Sequence, residues 1–390
     1  MAAESPADRA AAVRSAIADA DVGRSECFVP LSELDGIGDV AVVDGTARIE
    51  VTLPVPAAAV RERLEGALAD AARSVSDVSR VDVEWRSDPA EPDARVDFLP
   101  DVEHVVAVAS GKGGVGKSTV AVNLAVSLAD AGASVGLLDA DIYGPNAPAM
   151  LGHRDATPRT DREARIHPPE AHGVTVMSMG YVVGEDDPVI WRGAMVDDAL
   201  QQLFGDVAWG SLDYLVVDLP PGTGDAQLSL VQHLPVTGAV VVTTPQSVAV
   251  DDARRGLRQF AKYGVPVLGV VENMSRFECP DCGGSHDLFG SGGGEELAGE
   301  FEIPLLGQIP LDRAAGTIET TSEETARGVT IPLVGRLQLP RSSAERGGTS
   351  LPPVALRDDG GELRDVFRTV AGRVAARLQA LVVSGETRSP

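Results

Sequence analysis

The sequence contains very little lysine. Lys112, Lys117 and Lys262 are its only lysines, so arginine supplies nearly all of the 33 basic side chains. The 58 acidic residues outnumber the basic ones and give a formal net charge of −25. Binding to a nucleic-acid backbone needs clustered positive charge. This charge balance argues against a general nucleic-acid binder, and we expect no nucleic-acid partner.

The acid excess also predicts adaptation to salt. So many negative charges repel one another in dilute buffer, whereas the Debye length shrinks to about 3 Å at 1 M salt. A GC-rich genome would explain the preference for arginine over lysine, but it would not explain the excess of acidic residues. We therefore expect a halophilic protein that is built for a salty cytoplasm.

Cysteines and long apolar segments are scarce as well. Cys27 stands alone, and Cys279 and Cys282 form a pair. An odd, sparse set of cysteines does not predict a disulfide framework. The acidic first residues lack the apolar core of a signal peptide, and no apolar run reaches the roughly 18 residues of a membrane span. We expect a cytoplasmic protein without stable membrane association.

Two regions of different composition follow one another along the chain. Residues 1–86 read as a small α+β domain, in which helical segments alternate with a hairpin at Asp44-Gly45 and a later strand. Residues 87–101 are acidic and rich in proline, as in a linker. Residues 102–385 form the larger domain, which contains a polar excursion near 316–360.

The larger domain alternates short β-branched runs with helical stretches rich in alanine and leucine. Its seven apolar runs are HVVAVA, ASVGLLD, VTVMSM, DYLVVD, GAVVVTT, PVLGVV and PLLGQI. Continuous apolar strands separated by helices predict an α/β fold with a mostly parallel sheet covered on both faces. A helix is predicted from Gly361 to Val383. Its apolar stripe is typical of core packing, and a membrane anchor is the alternative.

The segment GKGGVGKST fits the phosphate-binding pattern G-x-x-x-x-G-K-[ST] between a predicted strand and a predicted helix. Its amides and Lys117 would surround phosphates, and the hydroxyl of Ser118 would bind Mg²⁺. Two of the three lysines lie in this loop, because a phosphate site needs a compact ammonium group. The residues expected to bind ATP here are Gly111, Lys112, Gly113, Gly114, Val115, Gly116, Lys117, Ser118 and Thr119. The larger domain is therefore predicted to be a P-loop NTPase domain.

Aspartates follow two of the apolar strands. Asp139 and Asp141 end the run LLDAD, and Asp218 ends the run VVD. Ligands of parallel sheets bind at the carboxyl ends of the strands. Asp218 is the predicted Mg²⁺ residue, acting through water, whereas Asp139 is predicted to be structural. A single aspartate at such a position is commonly only a cap, so the prediction depends on the neighbouring glycine-rich loop.

Cys279 and Cys282 are three residues apart and are followed by two glycines. Such a pair can hold a soft metal through two thiolates, whereas zinc and [4Fe–4S] sites usually take four ligands. A symmetric dimer would supply the second pair. His286 is a further candidate ligand, although a loop histidine is more commonly solvated. A thioredoxin-like redox pair is disfavoured, because the motif does not open a helix in a βαβ unit.

Several motifs carry a resemblance to known families. Lys112 resembles the second lysine of the deviant Walker-A ATPases, which implies a homodimer in which this lysine reaches the partner's nucleotide. SGKGGVGKST, LLDADIYGPN, VIWRGAMV, DYLVVDLPPGTGDAQLSL and ENMSRFECPDCGG together resemble the Mrp family of iron–sulfur cluster carrier ATPases. That resemblance runs from about residue 102 to residue 315.

The resemblance implies a function and a set of roles. A [4Fe–4S] cluster would be bound between two subunits through Cys279 and Cys282 and delivered to apo iron–sulfur proteins, with hydrolysis of ATP. Lys112, Lys117 and Asp141 would be catalytic, with Asp141 orienting the attacking water, and Asn273 would contact adenine. The alternative is a zinc-bridged dimeric targeting or positioning ATPase of the same class. A targeting ATPase needs a methionine-rich groove, and this sequence has only six methionines.

The first 86 residues resemble the small MIP18-like iron–sulfur assembly domain that is often fused to these carriers. That domain commonly carries a cysteine where this sequence reads TLPVPAAAV. The departure favours a docking or dimer-supporting role over cluster chemistry. Cys27 is expected to be an inert thiol.

Overall fold

The structure is a computed structural model. It describes residues 6–22, 37–51, 58–85, 99–181, 205–312, 329–337, 352–357 and 361–384, apart from gaps of one to three residues within these ranges. The predicted linker, Cys27, the TLPVPAAAV segment, the VIWRGAMV motif and much of the polar excursion lie wholly or mostly outside the described residues.

The described strands are β1 (Ile37–Val43), β2 (Thr46–Val51), β3 (Arg80–Trp85), β4 (Val102–Ser110), β5 (Val135–Asp139), β6 (Arg159–Thr160), β7 (Ile166–His167), β8 (Glu170–Ala171), β9 (Val174–Ser178), β10 (Leu212–Asp218), β11 (Gly238–Thr243), β12 (Val267–Glu278), β13 (Ser285–His286), β14 (Leu305–Leu311), β15 (Val329–Ile331) and β16 (Gly335–Leu337). The described α-helices are α1 (Pro6–Asp19), α2 (Ala58–Arg73), α3 (Lys117–Asp130), α4 (Ala147–Met150), α5 (Ser247–Lys262), α6 (Gly293–Glu300) and α7 (Gly361–Ser384). Short 3₁₀ turns occur at Met179–Tyr181 and Val354–Leu356.

The large sheet is mostly parallel, as the sequence predicts. In the described chain its strands lie in the order β14-β12-β11-β4-β10-β5-β9-β8, and β13 pairs with the far end of β12. The seven strands from β14 to β9 are parallel, and only β8 and β13 run antiparallel to their neighbours. Each of the seven apolar runs in the sequence lies in one of these seven strands.

Both faces of this sheet are covered. Strands β5 and β11 are buried along their whole length, because Val, Leu and Ala face a packed layer on either side. Helices α3 and α7 pack in the core on one face, and α5 and α6 pack in the core on the other. The carboxyl ends of β4, β5 and β10 therefore meet at one edge, beside the start of α3.

Helix α7 begins at Gly361, as predicted, and its apolar stripe lies in the core. Val370, Val374 and Leu378 are fully buried against α3 and the sheet. This packing favours the core reading of the stripe over the membrane-anchor alternative. Among the described helices, none combines the length and the apolar character that crossing a bilayer requires.

A separate small sheet precedes the large one. Strands β1 and β2 form the hairpin predicted at Asp44-Gly45, and β3 pairs parallel to β2. Helices α1 and α2 cover this sheet and share a core with it around Ile49, Leu64 and Leu68. The polar excursion contributes a short hairpin of β15 and β16 and the 3₁₀ turn at Val354–Leu356 to the described residues.

Candidate nucleotide and metal sites

The glycine-rich loop connects β4 to α3 at the carboxyl edge of the sheet. Gly114 and Gly116 have φ angles of +81° and +85°, a conformation that a side chain disfavours. No described side chain caps the start of α3, so its first amides stay available. Amides at a helix start, together with the positive end of the helix dipole, are suited to a phosphate.

Gly111 is fixed by packing. A β-carbon at this position would overlap the backbone of α5 at Asp252 and Ala253. The start of the loop therefore lies directly on α5, and only glycine allows this approach.

Lys117 lies between two of the predicted carboxylates. Its side chain is only 5% exposed, and its Nζ lies 2.5 Å from Oδ1 of Asp218 and 4.0 Å from Oδ2 of Asp141. The hydroxyl of Ser118 donates to the same Asp218 carboxylate. The fold thus brings together four predicted site residues from three separate segments of the sequence.

Asp139 organises the loop after β5. Its Oδ1 accepts a hydrogen bond from the amide of Asp141 at 3.2 Å. Its Oδ2 accepts hydrogen bonds from the amide of Ala147 at 3.0 Å and from the hydroxyl of Ser178 at 3.2 Å. These bonds orient the backbone that carries Asp141. They correspond to the structural role that the sequence predicts for Asp139.

Negative charge is crowded at this edge. Burial, and next to it the neighbouring Asp218, raise the pKa of Asp139 to about 7. Burial also raises the pKa of Asp218, although Lys117 opposes that shift. One lysine therefore faces three carboxylates, and the site favours an additional cation.

A magnesium ion fits the donors present. Oδ2 of Asp218 is buried without a hydrogen-bond partner in the described structure, and the Ser118 hydroxyl is beside it. No group of three or more His, Cys, Asp or Glu side chains in the described residues is arranged to hold a metal by itself. Mg²⁺ commonly uses one or two protein oxygens and takes the rest from phosphates and water. Asp218 and Ser118 would hold it here.

Lys112 points across the loop toward α5. Its Nζ lies 3.4 Å from Oε1 of Gln246, the residue that precedes α5. Sequence reasoning missed Gln246. A signal was available, because Gln246 follows β11 at the same carboxyl edge of the sheet that holds the aspartates.

Asn273 contacts the loop itself. Its Nδ2 donates to the carbonyl of Val115 at 2.8 Å, and the side chain is buried. The structure thus places Asn273 beside the phosphate loop. A role in binding adenine, expected from the resemblance, stays a prediction.

Cys279 and Cys282 lie in a tight turn at the far end of β12. The amide of Gly283 donates to the carbonyl of Cys279 at 2.8 Å, and the amide of Cys279 donates to the carbonyl of Gly284 at 2.9 Å. Neither cysteine forms a disulfide within the described residues, and Cys282 is exposed whereas Cys279 is partly exposed. A β-carbon on Gly284 would lie 3.3 Å from both the Cys282 sulfur and Nε2 of His286, so both groups border the same side of Gly284.

Comparison with known proteins identifies the family. The ParA family of NUBPL iron-transfer P-loop NTPases matches residues 101–373, which cover the large sheet, the phosphate loop and the cysteine turn. The chain belongs to this family. It is therefore a P-loop NTPase.

Individual members of the family cover most of this chain. An iron-sulfur cluster carrier protein of Synechocystis is 49% identical over 72% of this chain and 82% of its own length. The iron-sulfur cluster carrier protein of Escherichia coli K12 is 40% identical over 91% of this chain and 90% of its own. A solved nucleotide-binding protein from Archaeoglobus fulgidus, in complex with ADP, is 38% identical over 57% of this chain and 87% of its own, with a TM-score of 0.49.

Proposed function

We propose that the protein is a cytoplasmic, ATP-hydrolysing carrier that binds a [4Fe–4S] cluster as cargo and delivers it to apo iron–sulfur proteins. The observation that carries this proposal is the pair Cys279 and Cys282 in a turn that exposes Cys282, directly after the strand whose Asn273 contacts the phosphate loop. The names of the relatives support the same cargo. An exposed site suits a carrier, because the acceptor must reach the cluster.

The cargo site is proposed to be shared by two subunits. One chain supplies Cys279 and Cys282, whereas an iron–sulfur cluster of this type takes four thiolates. A homodimer brings two such pairs together. Lys112, which is half-buried and makes a long contact of 3.4 Å to Gln246, is the residue proposed to reach the partner's nucleotide.

Hydrolysis is proposed to depend on position and charge. The loop amides and Lys117 hold the phosphates, and Asp141 orients the attacking water. The hydrogen bond from the backbone amide of Asp141 to the Asp139 carboxylate helps to place Asp141. Asp218 and Ser118 hold Mg²⁺, which supplies neutralising charge on the phosphate oxygens when it is bound. Each of these side chains lies at the edge where β4, β5 and β10 end.

The carrier function is tested by anaerobic reconstitution of the full chain with iron and sulfide. We expect about four iron and four sulfide ions for each dimer, with the brown absorption of a cluster, followed by transfer to a separately prepared apo acceptor. Binding of zinc without any cluster would contradict the proposal and favour the zinc-bridged ATPase.

The net charge of −25 supports a proposal of salt adaptation. We expect the temperature of unfolding to rise as KCl is increased from about 0.1 M to about 2 M, because screening removes repulsion between exposed carboxylates. Circular dichroism at each salt concentration measures this. A protein that is fully folded and equally stable without added salt would refute the adaptation.

A further inference from the structure

Strand β12 carries two polar side chains in succession, Glu272 and Asn273, which face opposite sides of the strand. Asn273 bonds the carbonyl of Val115 in the phosphate loop at 2.8 Å. A β-carbon on Gly116 would overlap the same amide group. Asn273 is therefore packed directly against the loop where α3 begins.

Glu272 holds the helix that follows the cysteine turn. Its side chain is fully buried, and its Oε2 accepts the amide of Gly294 in the first turn of α6 at 2.5 Å. Its Oε1 accepts Nε2 of Gln308 on β14 at 2.9 Å. A β-carbon on Gly294 would lie 2.7 Å from the β-carbon of Glu272, so glycine allows this close contact.

The cysteine segment, residues 279–292, connects β12, which carries this pair, to α6. It leaves the end of β12 at Glu278 and returns into α6, whose start Glu272 holds. The pair Glu272-Asn273, which we call the joint, thus contacts the phosphate loop on one side and, on the other, the start of α6, which follows the cysteine segment.

Strand β12 bends between the joint and the cysteines. Asn273 pairs with Ile309 and Phe277 pairs with Leu311, so four steps on β12 oppose two on β14. Met274 within this bulge has a φ of +56°, which costs a non-glycine residue about 1 kcal/mol. Bulges redirect the part of a strand that follows them, and this one lies between the loop contact and Cys279.

A second contact from the loop reaches the same place. Lys112 touches Gln246, and the carbonyl of the preceding Pro245 lies 2.9 Å from the position of a β-carbon on Gly293, at the start of α6. Lys112 and Val115 therefore each contact a residue, Gln246 or Asn273, whose preceding neighbour packs against the start of α6.

We propose that the joint couples the nucleotide state of the phosphate loop to the position of Cys279 and Cys282, with Asn273 as the positioning residue. This inference rests on the proposed carrier function. Phosphate is bound by amides of the loop, and a shift of the loop moves the Val115 carbonyl that Asn273 holds. The movement reaches the cysteines through the bulge at Met274 and through α6. Coupling of this kind is reciprocal, so a metal at the cysteines changes nucleotide affinity by the same factor.

The test uses the reduced full chain without a cluster. The rate of alkylation of Cys282 by iodoacetamide is followed by peptide mass spectrometry, with and without Mg²⁺ and a saturating non-hydrolysable ATP analogue. In the chain without a substitution, we expect the nucleotide to change this rate about fivefold or more. In Asn273→Ala we expect the ratio of the rates with and without nucleotide to fall to about one. Asn123→Ala is the matched control, because Asn123 is a buried residue of α3 whose side-chain amide forms hydrogen bonds with the backbone of Thr119 and Ala355 and not with β12. It should keep the ratio.

A folded Asn273→Ala variant that binds the analogue and keeps the ratio would overturn the proposal, because the response would then pass through dimer closure alone. Hydrogen exchange in the unmodified chain tests the proposal without any substitution. The nucleotide should change protection in peptides covering residues 272–294, and unchanged protection there would also overturn it. Neither measurement involves iron, so a failure to bind a cluster leaves both results informative.

Discussion

Lys117→Ala should reduce ATP hydrolysis by about a thousandfold. Lys117 supplies the buried positive charge at the start of α3, where β and γ phosphates are expected to lie. The loss of one preorganised charge that acts on the transition state removes most of the rate enhancement, and the remaining loop amides cannot replace a full charge. Phosphate release under saturating Mg²⁺ and ATP measures the effect. Normal turnover would exclude this loop as the site.

The same substitution affects folding, because it leaves Asp218 buried without its partner at 2.5 Å. Breaking one half of a buried ion pair costs about 3 kcal/mol or more. Lys117→Arg separates the two effects, since it keeps the charge beside Asp218 but places a broad guanidinium where a compact ammonium is needed. It should fold normally and still fail to hydrolyse ATP. Lys262→Ala, which changes an exposed lysine at the end of α5, is the matched control and should leave turnover unchanged.

Cys279→Ser and Cys282→Ser should each abolish stable cluster binding after anaerobic reconstitution. Either change lowers the thiolates that a dimer offers from four to two, and a serine hydroxyl is a poor ligand for iron at neutral pH. Iron and sulfide analysis, together with the absorption spectrum, measures the loss. ATP hydrolysis without iron should persist, because the turn lies outside the phosphate site, and this persistence shows that the variants fold.

Cys27→Ser is the matched control for these variants. It removes the remaining cysteine of the chain and should leave the iron content unchanged. A cluster that survives both Cys279→Ser and Cys282→Ser would contradict the proposed cargo site. Loss of the cluster in Cys27→Ser would show that a third thiol takes part.

The sequence predicts the phosphate loop well because its chemistry is contiguous. The glycines, Lys117 and Ser118 fall within one short segment between a strand and a helix, so local spacing is enough. The ion pair of Lys117 and Asp218 joins residues 101 positions apart. It is predictable only because parallel strands end at a common edge, which places Asp218 near the loop without fixing the contact.

Other features leave no such trace in the sequence. The hydrogen bond from the amide of Gly294 to Glu272 depends on how α6 packs against β12, and a glutamate within a strand has many ordinary explanations. Met274 has no residue-type signal for its left-handed conformation, because glycine or asparagine would be expected there. The position of Gln246 after β11 indicates the correct edge of the sheet, but its contact with Lys112 depends on side-chain rotamers of two separate elements. These three features arise from tertiary packing, and the structure was needed to find them.

The burial of Lys117 has a practical consequence for chemical labelling. Lys117 is almost inaccessible and Lys112 is half-buried, whereas Lys262 is exposed. A reagent directed at lysine amines has therefore very few targets on this chain, and one of them borders the phosphate loop. In most proteins such reagents modify lysines over the whole surface. Here Lys262 serves as an internal reference, and the labelling of Lys112 becomes a local reporter of what occupies the neighbouring site.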